Sequence, residues 1–330
     1  MTRAMPTFDE GRRRGLPVSK GPAWARSVVA AVLAALLVHA LCGFPAGHGT
    51  ASAASADDIL TPWNGFVAVG GEQYGPVANP AGLGWLDGHA LQAAHLRPLA
   101  DGSVDGRAYV YLEPDTGVGA GQLAYLAAKD EERDVREYIY SAAWRGGGAA
   151  IGFNVRHVTL ERFLAVGNSP SGSPLPGLPL PASASTAAAQ SGSSSTWAMD
   201  VGYRGQWARW LGVGVLARNV LVGFGDLPRE AMPAEITAGI ALEFGRGLVA
   251  AADYVVSGWD DAADASASYR YGLEGRIGRL TARIGQRVDA AGAAAKYAGL
   301  GFRLDSFGLN ATVGESEDGR VLSIGLSLYY

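Results

Sequence analysis

VLSIGLSLYY, Val321 to Tyr330, is the last stretch of the sequence and the one from which the rest is read. Leu322, Ile324, Leu326, Leu328 and Tyr330 share one parity, and Val321, Ser323, Gly325, Ser327 and Tyr329 share the other. Successive side chains of a β-strand point to opposite faces, so this is a strand with one apolar face and one mostly small or hydroxylated face. Two architectures use such a strand. In a soluble sandwich the apolar face is core. In a membrane barrel it meets acyl chains, with aromatic rings at headgroup level.

The residues upstream favour the barrel. Fourteen strand-like segments are expected, at about 90–98, 107–113, 118–128, 135–145, 149–160, 196–204, 209–220, 234–244, 248–257, 266–276, 279–288, 293–304, 307–314 and 321–330. Several alternate cleanly, as where Tyr269, Tyr271 and Leu273 oppose Arg270, Gly272, Glu274 and Arg276. On a sandwich the polar face would carry long charged or β-branched residues and little Gly. Here Gly and Ser stand among charges, which suits the crowded inside of a barrel. The charges expected to point inward, as a network across the lumen, are Asp200, Arg204, Arg218, Glu243, Asp253, Arg270, Glu274, Arg276, Arg283 and Arg287. The connections also sort by length. PDTG (114–117), GGG (146–148), RGQW (204–207), GRG (245–247), IG (277–278) and DS (305–306) are short, and those between them are longer or more charged. Short periplasmic turns and longer external loops mark an outer-membrane barrel, and this parity places both strand 1's start and strand 14's end on the short-turn side. The expected fold is all-β: a transmembrane antiparallel up-and-down barrel of about 14 strands, occupying 90–330.

Composition agrees. Glycine accounts for 47 of 330 residues, a usage suited to strands and turns. Residues 11–26 are basic, Ser27 to Cys42 are an apolar run, and Ala51-Ser52-Ala53 and Ala54-Ser55-Ala56 are small-residue cleavage patterns. That order is a secretory signal peptide, expected to be cleaved after Ala56. Residues 57–330 then hold 21 basic and 29 acidic groups, a net charge of −8, and no cysteine. Nucleic-acid binding needs basic surface to neutralise phosphates, so it is not expected. Residues 164–195, rich in Pro, Gly, Ser and Ala and without charge, are read as a flexible external loop.

NPAGL, Asn79 to Leu83, precedes the first expected strand. With about fourteen strands and an aromatic end, the chain resembles the FadL-like superfamily of outer-membrane barrels, and the PorV/PorQ branch more closely. The phrase DVGYRGQWARWLGVGVLARNV, Asp200 to Val220, is similar to that branch's mid-barrel pattern. The resemblance implies that residues 57–89 fold into the barrel mouth as a hatch, with Asn79, Pro80, Ala81, Gly82 and Leu83 as its motif. The residues agree, since Pro80 pushes Asn79 toward an extended backbone and Gly82 permits a tight turn. About thirty residues precede the first strand, which is short for a full-sized hatch of this superfamily. The resemblance further implies an outer-membrane location and transport or binding of hydrophobic or small molecules. The alternative is a secretion or assembly platform with no transport of its own. Expected partners are outer-membrane lipids, the barrel assembly machinery, a hydrophobic ligand and a protein at the external loops. Leu322, Ile324, Leu326, Leu328 and Tyr330 match the C-terminal pattern that assembly machinery recognises in this class.

Enzyme chemistry has little to stand on. His89, His95 and His157 lack metal-ligand spacing with Cys or carboxylates, so no metal and no cofactor is expected. GVGAG (117–121) and GVGV (212–215) are read as strand glycines rather than phosphate loops.

Overall fold

The computed structural model describes residues 66–69, 78–99, 105–129, 133–162, 192–227, 229–245, 247–259, 265–289, 291–316 and 319–330. The expected signal peptide and most of the 164–195 loop lie outside them. The strands are β1 (Ala90–Pro98), β2 (Asp105–Glu113), β3 (Ala120–Lys129), β4 (Arg133–Gly146), β5 (Ala149–Arg162), β6 (Ser193–Ala208), β7 (Leu211–Gly223), β8 (Glu235–Phe244), β9 (Leu248–Ser257), β10 (Ser266–Ile277), β11 (Leu280–Val288), β12 (Ala294–Arg303), β13 (Phe307–Ser316) and β14 (Gly319–Tyr329). Each pairs antiparallel with its sequence neighbours, and β1 pairs with β14 to close a fourteen-stranded barrel. In the closing register Ala90 lies opposite Tyr329 and Pro98 opposite Val321. Just below the seam the Tyr330 N–H donates to the His89 carbonyl at 3.2 Å, and their rings stack with centroids 5.4 Å apart.

Parity assigns the faces. In β14, Gly325 and Ser327 are buried while Ile324, Leu326 and Leu328 are exposed. The same holds round the wall, where Leu91, Leu123, Ile151, Leu273, Ile284, Leu300 and Leu309 are all exposed. A closed sheet with an apolar outer surface has the chemistry of a hydrocarbon-facing wall. Tyr109, Tyr125, Tyr138, His157 and Trp197 lie directly opposite one another on β2 to β6. Their rings form an outer ladder with centroids 4.9–6.4 Å apart. Inside, the β1–β4 wall buries Leu96, Val110, Leu112, Leu126 and Ile139, with Gln92 and Gln122 among them.

Three expectations about the ends need correction. RGQW is not a turn. β6 runs on to Ala208, and the connection is residues 209–210, so Arg204 is a strand residue facing the lumen. β13 runs on to Ser316 and β14 starts at Gly319, so Glu315, Ser316 and Gly319 of the expected ESEDG loop are strand residues. Gly117 and Gly119 belong to the β2–β3 turn, with φ of 106° and 127°. Those angles are open to glycine and strained for other residues.

Candidate functional site

Inside the barrel, at the short-turn end, lie two pieces of the segment that precedes β1. Asn79 caps a six-residue 3-10 turn, Pro80–Trp85. Its backbone is extended, φ −143° and ψ 108°, as a residue before proline should be. Pro80 opens the turn without an N–H to leave unsatisfied. Gly82 lies within the turn at an ordinary φ, so the turn does not depend on its left-handed freedom. Pro80, Ala81, Gly82 and Leu83 are all buried, and Leu83 joins the apolar residues of the β1–β4 wall.

The Asn79 carboxamide ties three parts together. Its oxygen accepts from the Ala81 N–H at 3.1 Å. Its nitrogen donates to the Val67 carbonyl at 2.7 Å and to the Tyr203 carbonyl of β6 at 3.2 Å. Val67 in turn donates its N–H to Asp253 Oδ2 of β9 at 3.1 Å, and the Ala68 carbonyl accepts from Arg204 Nε of β6 at 3.1 Å. The Arg204 guanidinium also lies over the Trp85 ring, 4.2 Å from its centroid, with Arg145 at 4.9 Å. Removing the carboxamide in Asn79→Ala leaves buried backbone groups without partners, a cost of about 1–3 kcal/mol. Hydrogen exchange at the Ala81 amide should quicken about tenfold or more, while β12–β14 amides keep their rates. An unchanged Ala81 rate would show that Asn79 does not hold the turn.

Room for these pieces comes from glycines that face inward in register. Gly152 of β5 pairs with Gly202 of β6, and Gly214 of β7 pairs with Gly239 of β8. A Cβ on Gly152 would overlap the Pro80 carbonyl carbon and lie 2.5 Å from the Ala81 nitrogen. On Gly202 it would overlap Asn79 Oδ1, and on Gly214 the Val67 carbonyl oxygen. On Gly239 it would overlap Asp253 Oδ1 and lie 2.9 Å from Val67 Cγ2. These four positions form a seat shaped for the segment.

Farther from the short-turn end the same wall carries a buried ionic cluster. Arg156 of β5 donates through Nη1 to Glu137 Oε2 of β4 at 3.1 Å, and through Nη2 to Asp200 Oδ1 of β6 at 3.2 Å. Its Nε lies 2.9 Å from Asp200 Oδ2, close in charge but not aligned as a hydrogen bond. Asn154 donates to Asp200 as well. The fifth member, Asn219, comes from a bulge. The β6–β7 register shifts between Met199 and Val201, and Asn219 takes φ 54°. A bulge adds a residue to one strand and re-aims side chains. Here it brings Asn219 into the lumen beside Arg218, which alternation already aims there. Asn219 then accepts from Arg156, donates its N–H to Asp200 at 3.0 Å and donates its Nδ2 to the Pro233 carbonyl at 2.8 Å. Above the cluster, Val158, Leu160, Ala198, Leu227 and Met232 form an apolar cap, two of them from the β7–β8 loop. The β4–β8 half of the lumen therefore holds the inner segment, the ionic cluster and the apolar cap.

The other half differs. A cavity of about 750 Å³ lies between Ala68 and Val69 and the walls of β8–β13, and turn residues such as Gly247, Gly278 and Asp305 carry it to the short-turn end. Of the ten charges expected inward, Arg204, Glu243, Glu274, Arg276 and Arg283 line this cavity. Glu274 accepts from Arg276 at 3.2 Å and from Arg283 at 2.7 Å. Asp200 belongs to the cluster, Asp253 to the seat, and Arg218 is buried beside them. Arg270 and Arg287 are half-buried and directly opposite one another on β10 and β11. Asp253 lies directly opposite Arg270 on the neighbouring strand. Glu137, Asn154, Arg156 and Asn219 went unnoticed in the sequence, although the outward parity of Tyr138, Tyr140, Ile151 and Val155 already aims Glu137, Asn154 and Arg156 inward.

No protein-family profile matches the sequence, and no curated protein does. Solved structures do. The "CymD monoaromatic hydrocarbon channel" aligns with a TM-score of 0.59 at 15% identity, over 80% of this chain and 94% of its own. The fold is FadL-type. The toluene transporter TbuX of Ralstonia pickettii aligns at 0.55 and 13% identity, over 84% of this chain and 99% of its own. A Pseudomonas aeruginosa FadL homologue aligns at 0.53 and 12% identity, over 86% and 98%. At these identities what is shared with the FadL-type barrels is the fold.

Proposed function

We propose that the protein is an outer-membrane barrel that passes or binds small or hydrophobic molecules beside an internal hatch. The observation that carries this reading is the divided lumen. The segment bearing Asn79 to Leu83 is seated on β4–β8, and a cavity runs past it along β8–β13 to the short-turn end. Support comes from the apolar outer wall and from the FadL-type fold, whose similar structures include a hydrocarbon channel and a toluene transporter. In this reading residues 1–56 are a removed export signal, 57–89 the hatch, and 164–195 an external loop. The test is solute uptake into liposomes holding the purified barrel, with native sequence and with Asn79→Ala. Flux that rises on loosening the hatch is the expected result, and no flux in either form would sink the transport part.

The occupied β4–β8 half favours a second reading, in which the barrel is a platform. The NPAGL phrase and its similarity to the PorV/PorQ branch support that reading too, with external loops as the contact. A stable partner recovered with the barrel from outer membranes would favour it, and recovery of the barrel alone would count against it.

Leu322, Ile324, Leu326, Leu328 and Tyr330 serve here as the assembly signal. Tyr329 and Tyr330 also hold the seam, through the Ala90 pairing and the His89 stack. Deleting both should cut outer-membrane levels at least tenfold on an immunoblot of membrane fractions. Normal levels would refute the signal.

A further inference from the structure

The charge that faces the β8–β13 cavity is gathered on three neighbouring strands, at the short-turn end. Thr281 of β11 stands in the middle of it. Arg279 and Arg283 lie two residues to either side of Thr281, so by parity they share its inward face. Arg276 of β10 is the residue directly opposite Thr281. On the other flank Thr281 pairs with Gly301 of β12, where a Cβ would lie 3.6 Å from Thr281 Cβ. Two residues beyond Gly301 is Arg303, whose backbone N–H donates to the Arg279 carbonyl at 2.9 Å. Directly opposite residues have Cβ atoms about 5 Å apart, and residues two apart on one strand are separated by about 7 Å. Arg276, Arg279, Arg283 and Arg303 therefore surround one small area of wall.

Their charge is only partly offset. Glu274 accepts from Arg276 at 3.2 Å and from Arg283 at 2.7 Å. Asp305, in the β12–β13 turn, is the other carboxylate on this side of the cavity. Four arginines against two carboxylates leave a surplus of two positive charges. Elsewhere in the lining Arg204 and Glu243 offset each other, and Ala68 and Val69 of the inner segment add no charge. The patch is open to solutes, since the Arg276 side chain is 56% exposed and Arg279 is exposed as well. Packing helps to fix it, with the Arg303 guanidinium over the Tyr329 ring at 4.3 Å from the centroid. A cleft lined by one sign of charge between low-dielectric walls concentrates solutes of the opposite sign, and arginine-lined pores favour anions.

We propose that this arginine patch makes the cavity selective for small anionic solutes, which it admits beside the inner segment in preference to cations. Selection works through the field of the patch and not through a fitted pocket, so carboxylates, phosphates and sulfonates of similar size share it. The inference rests on the solute-pathway reading and deepens it by naming the class of solute.

The experiment compares two methanethiosulfonate reagents of similar size, one bearing a sulfonate and the other a trimethylammonium, on Thr281→Cys. The purified barrel, in detergent, also carries Cys42→Ser, so the introduced thiol is the only one. Each rate is divided by that of the same reagent with 2-mercaptoethanol in free solution. In low salt the normalised ratio of anion to cation should be about tenfold, and it should fall toward one in molar salt as the field is screened. Arg276→Gln with Arg279→Gln should lower the ratio at least threefold. Arg320→Gln, at the opposite end beside Glu315, should leave it unchanged. A ratio near one in low salt, in a barrel with native circular dichroism, overturns the proposal. So does a ratio that the double variant leaves unchanged, or a thiol that neither reagent reaches. Reversal potentials in a potassium chloride gradient across planar bilayers then separate the two readings. Conductance without anion preference would remove the selection and leave the pathway. Anion-preferring access to the thiol without any conductance would remove the pathway and leave the charged wall.

Discussion

Gly152→Ala combined with Gly202→Ala should drive the inner segment off its seat. Neither substitution disturbs the strand ladder, which needs only backbone. Both place a methyl group where Pro80 and Asn79 already are. Backbone on one side and a capped proline turn on the other leave no flexible group to yield. Overpacking of this kind costs about 1–3 kcal/mol at each position, and the two sites are neighbours, so their costs will not simply add. Losing the seat also frees the Asn79 bonds to Val67 and Tyr203. The readout is a thiol placed at Ala68, which is buried at 1% exposure, in a chain whose single native cysteine, Cys42, is replaced by serine. With native glycines it should resist a maleimide reagent. With both alanines it should react at least tenfold faster, and small-solute flux should rise with it. An unreactive thiol would show that the segment fits without the glycines.

Arg156→Met should be the most destabilising single change in the barrel wall. It removes the guanidinium paired with two carboxylates, Glu137 and Asp200, both about 1% exposed. Breaking a buried pair by removing one partner costs about 3–5 kcal/mol, because the remaining charge stays desolvated. The bulge at Asn219 should loosen as well, since its side chain is held from one side by Arg156. Urea unfolding of the barrel should show the loss. Adding Glu137→Gln and Asp200→Asn removes both carboxylates, so the triple variant should recover most of the stability. A loss below about 1 kcal/mol would mean that the cluster is hydrated. Failure of the triple variant to recover would assign the effect to packing.

Period two made the barrel legible before any coordinates. Each segment read from alternation became a strand, and the tail parity of Ile324, Leu326 and Leu328 is the outward-facing parity. The misplaced ends share a cause. Arg204 and Gly205 look like turn residues because both are common in turns, but their neighbours keep the sheet pairing to Ala208. The interior was less legible. Inward charges on β6 to β11 stood out against apolar neighbours, but their partners did not. Glu137 and Arg156 lie on strands rich in aromatic residues whose outward set drew the reading. Asn219 faces inward only because a bulge changes the local phase, and nothing in alternation announces a bulge. The glycine seat was read as generic barrel crowding. Its meaning depends on which glycines pair across strands, a register that no single strand contains.

The ties of the inner segment have a further consequence, for the order of assembly. Val67 is joined to Asp253, 186 residues downstream, and Asn79 to Tyr203, 124 residues downstream. The seat is built from β5–β8, with Asp253 supplied by β9, so it does not exist until most of the wall has paired. Contacts this distant in sequence form only after the intervening loop has been closed, which makes them slow and late. The segment that precedes β1 therefore finds its place only after β5–β9 have paired.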